Sequence, residues 1–208
     1  MKITPDKFSI KFTNAELAFA TSALGFHQIS LFTQEDWQNL EQLMATGQRS
    51  LQARGLVSVG VSNQMEMDVF LDGLIHWIQD PEWVMVFKVH RPTAEDTWTV
   101  FFRQDYLLCH HMGDTVEFTL FESAEKARFN ILHQIGLGMV TAPPPILQRE
   151  KVQAVIDVSL WQRRQGEKIW RGSKRFQNTP QGSYLEISAD ESRYQAVSMT
   201  DLLSIGFI

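Results

Sequence analysis

The residues with the most chemistry within reach of one another are Cys109-His110-His111. Side chains alternate in an extended strand, so Cys109 and His111 would share one face and His110 would take the other. A thiol and an imidazole side by side are half of a zinc site, which needs three or four ligands at about 2.0 to 2.3 Å. The remaining histidines, His27, His76, His90 and His133, show no spacing that completes the set, so no metal is expected. Nucleophilic use of Cys109 would require a neighbouring cation to lower the thiol pKa, and nothing in the sequence places one there. Carboxylate pairs occur at Glu35/Asp36, Glu66/Asp68, Glu95/Asp96 and Asp190/Glu191, mostly where helices start or turns fall. Together with Glu122 and Glu125 they read as capping and solvating charges that favour a helix N-terminus. G-x-S-x-G, H-E-x-x-H and the phosphate-binding G-x-x-x-x-G-K-[ST] are all absent. Gly136-Leu137-Gly138 follows an expected helix, whereas a nucleotide loop must follow a strand. The expectation is therefore no catalytic residue and no cofactor.

Charge says more. Residues 149–176 hold eight Lys or Arg against three acids, +5 locally in a chain of −5, which leaves −10 for the rest. Arg163, Arg164, Arg171 and Arg175 are interleaved there with Trp161, Trp170 and Phe176. Three readings stay open: a solvated hairpin with aromatics turned inward, a surface for an acidic protein, or a stacking and phosphate-contacting surface. A net acidic chain repels polyanions except through such a patch. A second nucleic-acid reading starts from residues 14–60, where three short helices followed by a strand resemble a winged-helix layout. Its reading helix, Gln48–Arg54, offers only Arg49 and Arg54 as phosphate contacts, fewer than a specific duplex binder needs.

The elements that must position these residues follow from composition and period. With 208 residues, 44% hydrophobic and 21% charged, the chain is long enough for a substantial core and is not disordered. Its apolar runs are too short to span a membrane. One cysteine rules out an internal disulfide and fits a reducing cytoplasm. Met1–Lys7 lacks the apolar stretch of a signal peptide, so the chain is expected to start as a cytoplasmic protein.

Residues 7–12 alternate as a strand. Asn14 is expected to cap a helix to Ala23, Thr33 a second one ending at Gly47, and Gln48–Arg54 forms a third. A strand follows at 56–59, then a helix over Gln64–Gln79 stopped by Asp80-Pro81. From Glu82 to Phe121 the pattern is a four-stranded antiparallel meander, with Gly113-Asp114 as a two-residue hairpin turn. Ser123 then caps a helix over Ala124–Ile135 that Gly136 closes. After the proline run Pro143–Pro145, a helical stripe is read over Ile146–Arg164. Strands are read at 168–176, 183–188 and 193–199, and a last helix at 201–205. The fold class is α+β: an N-terminal helical unit and an antiparallel meander with flanking helices, with the strand-hairpin-helix order recurring in shorter form at 168–206, for which degenerate duplication and chance both stay open. Residues 1–142 and 146–208 are expected to pack as one domain.

Several pieces resemble the EspG-type chaperones of type VII (ESX) secretion. They are Ser50–Val57 (SLQARGLV), Pro81–Val86 (PEWVMV), the meander from Trp98 through Val116-Glu117-Phe118 to Ile135-Gly136-Leu137, Tyr184–Ile187 and Thr200–Leu203. The resemblance implies a cytosolic α+β protein that holds secreted substrates soluble. The expected function is thus non-catalytic protein–protein interaction, as a chaperone-like or regulatory adaptor. A duplex-binding regulator and a small-ligand-binding protein are the alternatives. The expected partner is a protein, with homodimerisation through an edge strand also open; nucleic acid and membrane are not expected. Trp98, Phe101, Phe102, Tyr106 and Trp170, with Arg163, Arg164, Arg171 and Arg175, are the expected contact residues, because aromatic and arginine anchors dominate such interfaces.

Overall fold

The computed structural model describes residues 8–26, 40–61, 64–103, 105–121, 123–140, 147, 151–164, 167–188 and 193–198. The expectations at Thr33, at the proline run and for the terminal helix lie outside these. The chain divides into two compact units, one made of 10–81 with 112–117, the other of 1–9, 82–111 and 118–208.

In the smaller unit, strand β1 (Phe8–Thr13, its first two residues in the larger unit) runs straight into helix α1 (Asn14–Ala23). The cap is Thr13 rather than Asn14: Thr13 Oγ1 accepts from Glu16 N–H at 3.1 Å while Glu16 Oε2 accepts from Thr13 N–H at 2.8 Å. This reciprocal box satisfies two first-turn donors at once, which Asn14 could not do. Helix α2 (Leu40–Ala53) is continuous where two short helices were expected. Gly47 does not stop it. A Cβ at Gly47 would lie 2.0 Å from the carbonyl oxygen of Ala15, so the missing side chain lets the backbones of α1 and α2 touch. The three-helix layout behind the duplex-binding reading is therefore corrected: its third helix is the second half of α2.

Glu16 is buried yet charged. Arg54 Nη1 donates to both of its oxygens at 2.9 and 2.8 Å, and Ser50 Oγ donates at 2.7 Å. Burial alone would raise its pKa, but the hydrogen bonds from Arg54, Ser50 and Thr13 outweigh it and hold the carboxyl below its ordinary 4.5. Past Gly55, strand β2 (Val57–Val59) pairs antiparallel with β3 (Met65–Met67). The expected helix over 64–79 starts later, as α3 (Val69–Gln79), because Asp68 takes the cap by accepting from Phe70 N–H. Leu71, Leu74, Ile75 and Ile78 are its buried stripe.

The larger unit holds β4 (Trp83–Arg91), β5 (Ala94–Phe102), β6 (Tyr106–Met112), β7 (Thr115–Phe121, its first residues in the smaller unit), α4 (Ala124–Ile135), β8 (Ala154–Arg164), β9 (Glu167–Thr179), β10 (Gly182–Ser188) and β11 (Arg193–Ala196). The expected hairpin turn at Gly113 has the required positive φ of +64°, and Ser123 and Gly136 cap α4 as read. The large sheet has the order β1-β7-β6-β5-β4-β8-β9-β10-β11. Two meanders, β4 to β7 and β8 to β11, thus begin at the central β4/β8 pair and run outward in opposite directions.

Residues 154–164 form a strand, not the expected helix. Val152, Val155, Ile156 and Leu160 do fit a helical stripe, but Ala154, Ile156, Val158 and Leu160 alternate equally well, and the β-branched content favours the strand. Its inward residues complete a single core. Met85, Phe87, Val89, Val100, Leu108, Ile156, Val158 and Phe176 line one face of the sheet, closed by Ala127, Ile131 and Ile135 of α4.

Two substitutions test the packing in the smaller unit. Gly47→Ala should destabilise by about 2 to 3 kcal/mol or more, since the clash is with backbone. Arg54→Ala should cost about 2 to 3 kcal/mol, less than a fully buried pair because 34% of the Arg54 side chain is exposed. Urea unfolding reads both; a Gly47→Ala midpoint equal to that of the parent would contradict the helix contact.

Candidate partner-binding surface

The second face of the central strands has a different character. Strand pairing places Leu107 beside Phe101, Phe101 beside Val84, Val84 beside Trp161, and Trp161 beside Trp170. This apolar row is graded: Phe101 is fully buried, Val84 and Trp161 are half-buried, and Trp170 is 56% exposed. The next row is smaller and more polar, Cys109, Thr99, Val86, Ser159 and Ser173, and the one after it is His111, Thr97, Lys88, Asp157 and Arg175.

A β-bulge delivers Trp170 to this face. Leu160 pairs with Gly172 and Trp161 with Trp170, so Arg171 is an extra residue in β9, and Gly172 takes the φ of +152° that favours glycine. Without the extra residue Trp170 would turn to the core face.

The cations of the basic segment fall into two groups. Arg175 is absorbed by Asp157, with Nε–Oδ1 2.6 Å and Nη2–Oδ2 3.1 Å, and this pairing raises its pKa. His90 bridges the same carboxylate at 3.3 Å and Glu95 at 2.9 Å. At the other end, Lys168 Nζ lies 4.6 Å from the ring centre of Trp161, and Arg171 Nε donates to the neutral carboxamide of Gln162 at 2.9 Å. Arg163 pairs with Lys168 across the hairpin, and Arg164 with Glu167. Lys168 thus meets an uncharged ring beside Trp170, and Arg171 an uncharged carboxamide on the opposite face, where Gln162 pairs with Trp83.

The residues expected to meet a partner are therefore not brought together as a set. Trp170, Arg163, Arg164 and Arg171 gather at the open end of the β8/β9 hairpin. Arg175 sits on the same face, paired with Asp157. Phe101 lies beneath, closed over. Trp98, Phe102 and Tyr106 belong to the core face: Trp98 stacks on His110 at 3.4 Å and Phe102 meets Tyr106 edge-on at 4.9 Å. Arg54 is engaged by Glu16, while Arg49 Nε donates to Ala45 O within α2. Trp161, Val84 and Lys168, which stand beside Trp170, were not among the expected contact residues. Reading residues 154–164 as a strand would have paired Trp161 with the hairpin strand that carries Lys168 and Trp170.

Cys109 and His111 do share a face, with Sγ 3.5 Å from Nε2. Burial pushes the thiol pKa well up, and it lowers that of His111 to about 4, helped by the charge of His110. The pair is a neutral thiol against a neutral imidazole. Among the described residues, no group of three or more His, Cys, Asp or Glu is placed to hold a metal ion. No helix of these residues is long and apolar enough to cross a membrane. Because the folded state disfavours His111 protonation, the unfolded chain binds the extra proton. Stability should be full above about pH 6.5 and fall as pH drops towards about 4. His111→Gln should flatten that loss in thermal melts across the window, and an unchanged pH profile would contradict it.

No protein-family model matches the chain, and neither does any curated protein sequence. Among solved structures, the chain is similar to the Mycobacterium tuberculosis type VII secretion system chaperone EspG5, determined in complex with a PE25–PPE41 dimer. The TM-score is 0.61 over 86% of each chain, at 10% identity. The likeness is one of fold, and at that level it agrees with the expectation drawn from the sequence.

Proposed function

We propose that this chain is a non-catalytic, cytoplasmic protein that works by binding another protein, as a chaperone-like or regulatory adaptor. The observation that carries the reading is the fold it shares with a secretion chaperone over 86% of both chains. The open face adds physical support. A sheet with one face sealed by a helix and the other carrying a graded apolar row presents tryptophan where a partner can complete the burial. Trp170 is the main contact, Trp161 and Val84 the floor, and Phe101 a support from below.

Capture with the tagged full chain from source-cell lysate, split into nuclease-treated and untreated samples and read by mass spectrometry and ultraviolet absorbance, tests this. A stoichiometric protein client is expected, and Trp170→Ala should reduce its retention about tenfold, as loss of an anchoring aromatic does. Phe101→Ala should act instead through stability. A client retained equally by parent and Trp170→Ala, or nucleic acid alone in the eluate, would overturn the reading.

A further inference from the structure

Resting on that reading, we infer that the partner segment docking at the open end of the β8/β9 hairpin is acidic, carrying an apolar side chain flanked by Asp or Glu. The geometry is an exposed Trp170 directly beside a half-buried Trp161, in the same row as Val84. In the adjacent row of the same face stand Arg163 and Lys168, paired across the hairpin, while Arg164 and Arg171 lie at the same end on the other face, Arg171 against Gln162. Lys168 lies on the Trp161 ring, a contact that does not cancel its charge. Contrast with the same face two rows away is informative, because there Arg175 is matched to Asp157. The hairpin end is thus the part of this face where positive charge and exposed aromatic surface coincide, with Lys168 set on a ring rather than on a carboxylate.

A carboxylate-bearing segment fits this better than a nucleic acid. Outside residues 149–176 the chain carries −10, which repels an extended polyanion that runs beyond the patch, while a short acidic segment meets only the cations. The apolar side chain of the segment would cover Trp170, and its carboxylates would pair at the rim, setting orientation and association rate more than affinity.

Fluorescence anisotropy with the full chain tests this, using four labelled probes: a short peptide with Leu and Phe flanked by Asp and Glu, the same apolar residues flanked by Lys, oligo-deoxythymidine, and phosphatidylglycerol vesicles. The acidic peptide should bind, weaken with added salt, and lose about tenfold in affinity in the double variant Arg163→Gln/Lys168→Gln. Neither side chain belongs to the core cluster, and a thermal melt equal to that of the parent confirms that the variant folds. Trp170→Ala should weaken it comparably, and the Lys-flanked peptide should not bind. Equal binding of acidic and basic peptides, indifference to the double variant, or tighter binding of oligonucleotide or vesicles through the same residues overturns the inference. A cellular client lost with Trp170→Ala but kept by the double variant sinks the acidic-segment inference alone. Failure to retain any client, with acidic-peptide binding intact, sinks the chaperone-like reading alone.

Discussion

The pairing of β4 with β8 is the constraint on which the larger unit depends. It joins two meanders that otherwise have no reason to form one sheet, and it aligns their side chains row by row. Phe87 meets Val158 and Val89 meets Ile156 on the core face. Val84 meets Trp161 on the other. A one-residue slip would exchange the two faces, placing Asp157 and Ser159 against α4 and Val158 in water. The penalty for burying those polar groups fixes the register far more firmly than backbone hydrogen bonds, which would survive the slip.

Given that register, the asymmetry of the sheet follows from where apolar residues fall. The core face is filled from both meanders and sealed by Ala127, Ile131 and Ile135 of α4. On the opposite face burial fades along one apolar row, from Phe101 at its closed end to Trp170 at its open end. Gly172 and the extra residue Arg171 carry this design past the point where regular pairing would end it. Glycine at a positive φ inside a strand weakens the strand, so a bulge there is a local cost that returns an exposed tryptophan and a cluster of cations.

Much of this was legible in the residues themselves. The first meander, its hairpin turn at Gly113 and the caps of α4 follow from local rules, because alternation, turn glycine and capping serine act over a few residues. Residues 154–164 misled because a short apolar run satisfies both periods, and only the partner strands β4 and β9 decide between them. Gly47 read as a stop because its real partner, the Ala15 carbonyl, lies far away in sequence. The candidate surface was half legible: composition singled out Trp170 and its arginines, but could not show that Asp157 neutralises Arg175. Nor could it show that Trp98, Phe102 and Tyr106 face the core, since both faces of β5 are aromatic.

Whether the open face is the working face is most directly tested by hydroxyl-radical footprinting of the chain, alone and bound to its client, with oxidation read residue by residue. In the free chain Trp170 should be strongly oxidised and Phe101 protected. On binding, oxidation of Trp170 and Trp161 should fall together while the exposed Val69 and Phe70 at the start of α3 stay unchanged. Trp170 remaining as reactive in the complex as in the free chain would contradict the account.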